Sequence, residues 1–149
     1  RPRRPLEQRV SFQTHRINAR LQQLSSPILG PLKLDLYSSR IIFALSERGP
    51  MKVGQLVDLM ALPQSTMSHQ LKRMEKDGYV QRTRSDSDNR TVVITLSPKG
   101  EAVSETCNRW SDQVMSSISD DLSDAEIEQL SDLLQRVFKS LPHEGDFKL

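Results

Sequence analysis

At Gly78 the apolar spacing of this chain changes period, and that change limits the folds open to it. Before it, Met67, Leu71 and Met74 recur at intervals of four and three, the spacing of one helix face. After it, Val92, Ile94 and Leu96 recur at intervals of two, the spacing of one strand face. Pro63-Gln64-Ser65 opens the helix, and Asp77-Gly78 closes it where glycine tolerates a left-handed cap. A short helix from about Val53 to Ala61 precedes it across a turn of two or three residues, and two short helices so joined form a helix-turn-helix. Tyr79 to Arg84 and Thr91 to Leu96 read as β-branched strands. The wholly polar stretch from Ser85 to Arg90 makes them a hairpin with a long solvated tip, a wing.

Longer helices flank this unit. Val10, Ile17, Leu21 and Leu24 make one stripe on a first helix from Leu6 to about Ser26, which Gly30-Pro31 breaks. A second helix runs from Leu34 to Glu47 on Leu36, Ile41, Ile42 and Leu45, and Gly49-Pro50 stops it. Ser97-Pro98 starts a long fifth helix, whose stripe is Val103, Cys107, Trp110, Val114 and Ile118. Ser123 and Glu126 form a capping box for a last helix carrying Ile127, Leu130, Leu134, Val137, Phe138 and Leu141. The expected fold is mainly α with a small two-stranded β wing.

At 149 residues the chain has the size of one domain. Its hydrophobic fraction of 36% and charged fraction of 27% lean polar, as amphipathic helices do. Charge is unevenly spread. Residues 1 to 20 hold six Arg against Glu7 (+5), residues 52 to 90 seven basic against five acidic (+2), and residues 101 to 149 four basic against eleven acidic (−7). A polyanion would meet the first two thirds and avoid the last. The single cysteine, Cys107, rules out an internal disulfide framework and fits a reducing compartment, the cytoplasm. No run of 18 apolar residues exists, and the segment from Arg1 to Pro5 leads into a polar helix, so neither a membrane span nor a signal peptide is expected.

On the fourth helix Gln64, Ser65, Thr66, Ser68, His69, Lys72 and Arg73 point away from the apolar face. Hydroxyls and amides suit base edges, and Lys72 and Arg73 suit phosphates or guanine; an ordinary solvated face has the same composition. The wing favours the first reading. Arg82 and Arg84 project from one strand face, and Arg90 stands at the tip, where it can enter a minor groove. Asp88, two residues before Arg90, can hold that guanidinium in one pose and limit the entropy lost on binding. Arg1 to Arg4, interrupted by prolines, cannot be helical and form either a phosphate-touching arm or a disordered leader.

Catalytic signals are missing: there is no Gly-rich phosphate loop, no carboxylate pair in an apolar context, and no Ser-His-Asp logic. No enzyme and no cofactor are expected. His15, His69 and His143 lie far apart and no His or Cys pair has ligand spacing, so no metal is expected either. Cys107 is a small hydrophobe on its stripe, or a redox thiol if exposed with a lowered pKa.

Together Leu56, Met67-Ser68, Leu71 to Glu75, Asp77 to Val80, Arg82, Asp88-Asn89-Arg90, Val93 to Leu96 and Gly100 resemble the MarR family of winged helix-turn-helix regulators. The most specific element is the Asp-x-Arg wing followed by a strand ending in Thr-Leu-x-x-x-Gly. The motifs cover about residues 34 to 100. The resemblance implies an arm and dimerisation helix over 1–33, a DNA-binding lobe over 34–97 and dimerisation helices over 98–149. It further implies a two-fold dimer whose first, fifth and sixth helices interlock, with a recognition helix in each major groove of a palindromic operator and wing arginines in the minor grooves. It implies an effector crevice for small aromatic or phenolic anions, lined by Tyr37 and Arg40 with His15 or Arg16. The chain departs from the family pattern at His69, where arginine is frequent, and at Met67, where a β-branched residue is usual. The expected function is a sequence-specific DNA-binding regulator, most often a repressor. A metal-sensing repressor of the ArsR type and a winged-helix protein-assembly module are the alternatives.

Overall fold

Along the residues that the computed structural model describes, 1–85, 87 and 90–148, the elements run α1 (Val10–Leu29), α2 (Leu36–Arg48), α3 (Val53–Met60), α4 (Gln64–Lys76), β1 (Val80–Arg84), β2 (Val92–Leu96), α5 (Pro98–Ser119) and α6 (Asp124–Ser140). Single turns of 3-10 helix lie at Leu6–Gln8 and Gly30–Leu32. The fold is mainly α with a two-stranded antiparallel sheet, as the change of period at Gly78 predicts. The chain divides into two compact units, residues 1–110 and 111–149.

Local chemistry accounts for most boundaries. Asp35 Oδ1 accepts the Ser38 amide at 2.9 Å while Ser38 Oγ accepts the Asp35 amide at 2.8 Å, a reciprocal cap that starts α2. Gly49 and Gly78 take positive φ, 75° and 84°, where α2 ends and where α4 hands over to β1. Ser97 Oγ accepts the Gly100 amide at 3.0 Å at the start of α5. Ser123 and Glu126 exchange hydrogen bonds of 3.0 and 3.2 Å at the start of α6, and donation from Ser123, its backbone amide above all, holds the Glu126 carboxyl below the usual carboxylate range. Several boundaries differ from expectation, among them α2, which begins at Leu36 rather than Leu34 because Asp35 caps it. Arg9 is extended, so α1 proper begins at Val10, and α1 then runs through Pro27 to Leu29.

The core of the first unit gathers Leu29, Ile41, Ile42, Leu56, Met67, Leu71, Ile94 and Cys107, all fully buried. Each such aliphatic side chain contributes roughly 1.5–3 kcal/mol on burial. The end of α1 and the first half of α5 therefore belong to the same core as the helix-turn-helix. In the sheet Val80 pairs with Leu96, Arg82 with Ile94 and Arg84 with Val92. Met51 adds one isolated antiparallel bridge to Ile94, through bonds of 3.1 and 2.7 Å, which fastens the loop after α2 to the base of the wing.

Candidate nucleic-acid interface

The three apolar residues expected on the inner face of α4, Met67, Leu71 and Met74, are buried, and Gln70 joins them. Gln64, Ser65, Thr66, His69, Lys72 and Arg73 are exposed and Ser68 is half-buried, as the helical period requires. Core contacts thus decide the pose of α4 and leave its polar side available. The turn before it spans 61–63, with Ala61 left-handed at φ 52°. Glycine or asparagine is the usual choice there, and an alanine in that conformation costs roughly 1–2 kcal/mol.

Arg82 and Arg73, both expected to contact DNA, have protein partners. Arg82 Nε donates to Glu75 Oε2 at 3.0 Å, so Arg82 braces β1 against α4 instead of standing free on the wing. Arg73 Nη2 donates to Gln70 Oε1 at 3.1 Å and lies 3.5 Å from Asp35 Oδ2. Arg84, opposite Val92, and Arg90, at the far end of the hairpin, are exposed. Asp88, expected to hold Arg90, lies outside the described residues.

The base of the wing is anchored by contacts that no local pattern indicates. Tyr79 Oη donates to the Leu32 carbonyl at 2.6 Å, and burial, then the nearby Asp77 carboxylate and Cys107, push its hydroxyl pKa above 10.0. Lys99 Nζ stands 4.5 Å from the centroid of the Tyr79 ring and donates to the Asp77 carbonyl at 2.6 Å. Ser97 Oγ donates to the Gly78 carbonyl. These bonds tie the end of α4, the first strand and the start of α5 into one block.

The expected effector residues form two separate pairs. Arg16 packs its guanidinium 5.8 Å from the Phe12 ring centroid, and the His15 ring centroid lies 6.4 Å from that of Phe12. Tyr37, exposed, and Arg40, half-buried, lie three residues apart on α2. Among the described residues no hydrogen bond, ion pair or ring contact joins the α1 pair to the α2 pair. Cys107 is fully buried and burial pushes its thiol up from 9.0, the opposite of what a redox thiolate needs. No group of three His, Cys, Asp or Glu that could hold a metal occurs among the described residues, and no helix among them is long and apolar enough to cross a membrane.

Residues 37–92 match the sequence profile of the MarR family, a span running from α2 into the wing. The HTH-type transcriptional regulator SarZ of Staphylococcus haemolyticus is 32% identical over 108 residues, covering 71% of this chain and 74% of SarZ. MgrA of Staphylococcus aureus, another HTH-type transcriptional regulator, is 36% identical over 97 residues, and the match spans 65% of its length and 65% of this chain. A mutant MarR from E. coli, solved in complex with operator DNA, superposes with a TM-score of 0.73 at 21% identity over 89% of this chain and 94% of that one. That likeness shows the winged-helix fold, while the SarZ match and the family profile show the kinship: this chain belongs to the MarR family.

Proposed function

We propose that the protein is a sequence-specific DNA-binding transcription regulator of the cytoplasm, a homodimer that represses from a palindromic operator and is released by a small aromatic or phenolic molecule. The observation that carries this reading is α4, whose apolar side is sealed in the core while Gln64, Ser65, Thr66, His69 and Lys72 stay exposed opposite it. The helix enters a major groove with this side. Ser and Gln bond base edges, and Lys72 neutralises phosphate. Exposed Arg84 and Arg90 extend the basic surface along the wing to the adjoining minor groove. Homodimerisation is supported by α6, which exposes Leu130, Leu134 and Phe138 on one side.

Release follows from linkage. Two recognition helices about one duplex turn apart, roughly 34 Å, fit successive major grooves, and a ligand favouring another spacing must lower affinity. Arg40 and Tyr37 offer a cation and a ring to an aromatic anion, with His15 or Arg16 as further partners. Selection from a random duplex pool tests the main reading. A palindrome with half-sites one turn apart, bound with an affinity that falls steeply as salt rises, is expected. A pool without enrichment overturns it. Hydroxybenzoate is expected to weaken binding to the selected duplex, and less so for Arg40→Ala; an affinity indifferent to it removes the aromatic effector.

A further inference from the structure

The Asp35 carboxylate does more than a helix cap requires. Its Oδ1 accepts the amide and hydroxyl of Ser38, both at 2.9 Å, and the Gln70 side-chain amide at 3.3 Å. Serine or asparagine would cap α2 equally well. What only a carboxylate adds is a second, charged oxygen, and Asp35 Oδ2 lies 3.5 Å from Arg73 Nη2. Gln70, buried on α4, bonds both partners: its amide donates to Asp35 and its carbonyl accepts from Arg73 at 3.1 Å. Three side chains separated by up to 38 residues thus meet at the junction of α2 and α4.

This grip is too weak to exist for folding or to sequester the arginine. The two side chains are 56% and 46% exposed, and ion pairs of that kind contribute little. Arg73 is engaged through Nη2 alone among the described residues, which leaves Nη1 and Nε to donate elsewhere. A long side chain held at one end loses less freedom when the other end binds.

We propose that Asp35, acting with Gln70, is a positioning residue for DNA recognition that pre-orders the Arg73 guanidinium for a backbone phosphate beside α4. The proposal rests on the DNA-binding reading and adds to it a residue outside the recognition helix. A double-mutant cycle on the full chain tests it, with affinity for the selected duplex measured across salt concentrations for the wild type, Arg73→Gln, Asp35→Asn and the double variant. Asp35→Asn keeps the cap, so its melting temperature should match the wild type, and the general effect of removing one negative charge cancels in the cycle.

Arg73→Gln is expected to make the slope of log affinity against log salt shallower by about 0.9 per protomer. Its affinity loss should be about two- to tenfold larger in the wild-type background than in the Asp35→Asn background, where no carboxylate orders the guanidinium in advance. Equal losses in both backgrounds reduce Asp35 to a cap and overturn the proposal. A larger loss in the Asp35→Asn background overturns it the other way, with Asp35 withholding Arg73. If the wild type binds the duplex but Arg73→Gln alters neither affinity nor slope, the DNA reading stands and this proposal falls. A wild type with no salt-dependent affinity removes both.

Discussion

At Gly100 a Cβ would overlap the carbonyl oxygen of Tyr79 and come within 3.0 Å of Leu96 Cδ2, so the first turn of α5 passes the end of the wing with no room for a methyl group. Gly100→Ala is expected to cost about 1–3 kcal/mol in denaturant unfolding, the range for overpacking a tight contact. The family motif marks this glycine, but the reason lies in a backbone 21 residues away. Tyr79 carries the next prediction. Its hydroxyl pKa is raised above 10.0, so near that pH the folded chain keeps a proton that the unfolded chain has begun to lose. The unfolded state then binds fewer protons, and stability that is present below about pH 10 declines as pH rises through the folded value. Tyr79→Phe should lose about 0.5–1.5 kcal/mol at neutral pH with the Leu32 bond and flatten the alkaline decline. Cys107, raised by burial from 9.0, leaves a residual slope. Unfolding measured across the alkaline range on either side of the ordinary tyrosine pKa checks both parts. Pairings such as Tyr79 with Leu32 or Asp35 with Arg73 are invisible to a reading of the chain, because nothing in either local segment names a partner tens of residues away.

Among the elements, α4 and the hairpin were legible for different reasons. A buried stripe at intervals of three and four and a pair of β-branched runs each obey a local geometric rule, so the backbone follows from the pattern. The side chains of the wing are less predictable. Alternation places Arg82 and Arg84 on one strand face, yet only the packing of β1 against α4 engages Arg82 with Glu75. The Met51–Ile94 bridge likewise depends on where the loop after α2 lands. At this scale the testable residue is Arg90. Arg90→Ala should weaken DNA affinity by about 1–3 kcal/mol while the melting temperature stays close to that of the wild type. An affinity unchanged by that substitution would remove the wing from the interface.

For the whole molecule, the apolar stripes of the terminal helices carry the prediction. Val10, Ile17 and Leu24 on α1 are exposed, and α6 leaves Leu130 at 44% and Phe138 at 62% exposure. Met115, Ile118, Ile127, Leu130, Leu134 and Phe138 line an apolar groove in the second unit. Leu130→Asp is expected to shift sedimentation from dimer to monomer and to lower operator affinity with it; a variant that still sediments as a stable dimer would take α6 out of the interface. Helix positions, the Ser123 capping box, the wing and the inward stripe of α4 follow from periodicity and from which residues tolerate particular backbone angles, and those are properties of short segments. Which partners the arginines of the helix-turn-helix and wing take up is another matter. Arg82 braces a strand, Arg73 is held at one end by Asp35 and Gln70, and Gly100 is required by Tyr79, because partner choice depends on distances that exist only once distant segments share one core.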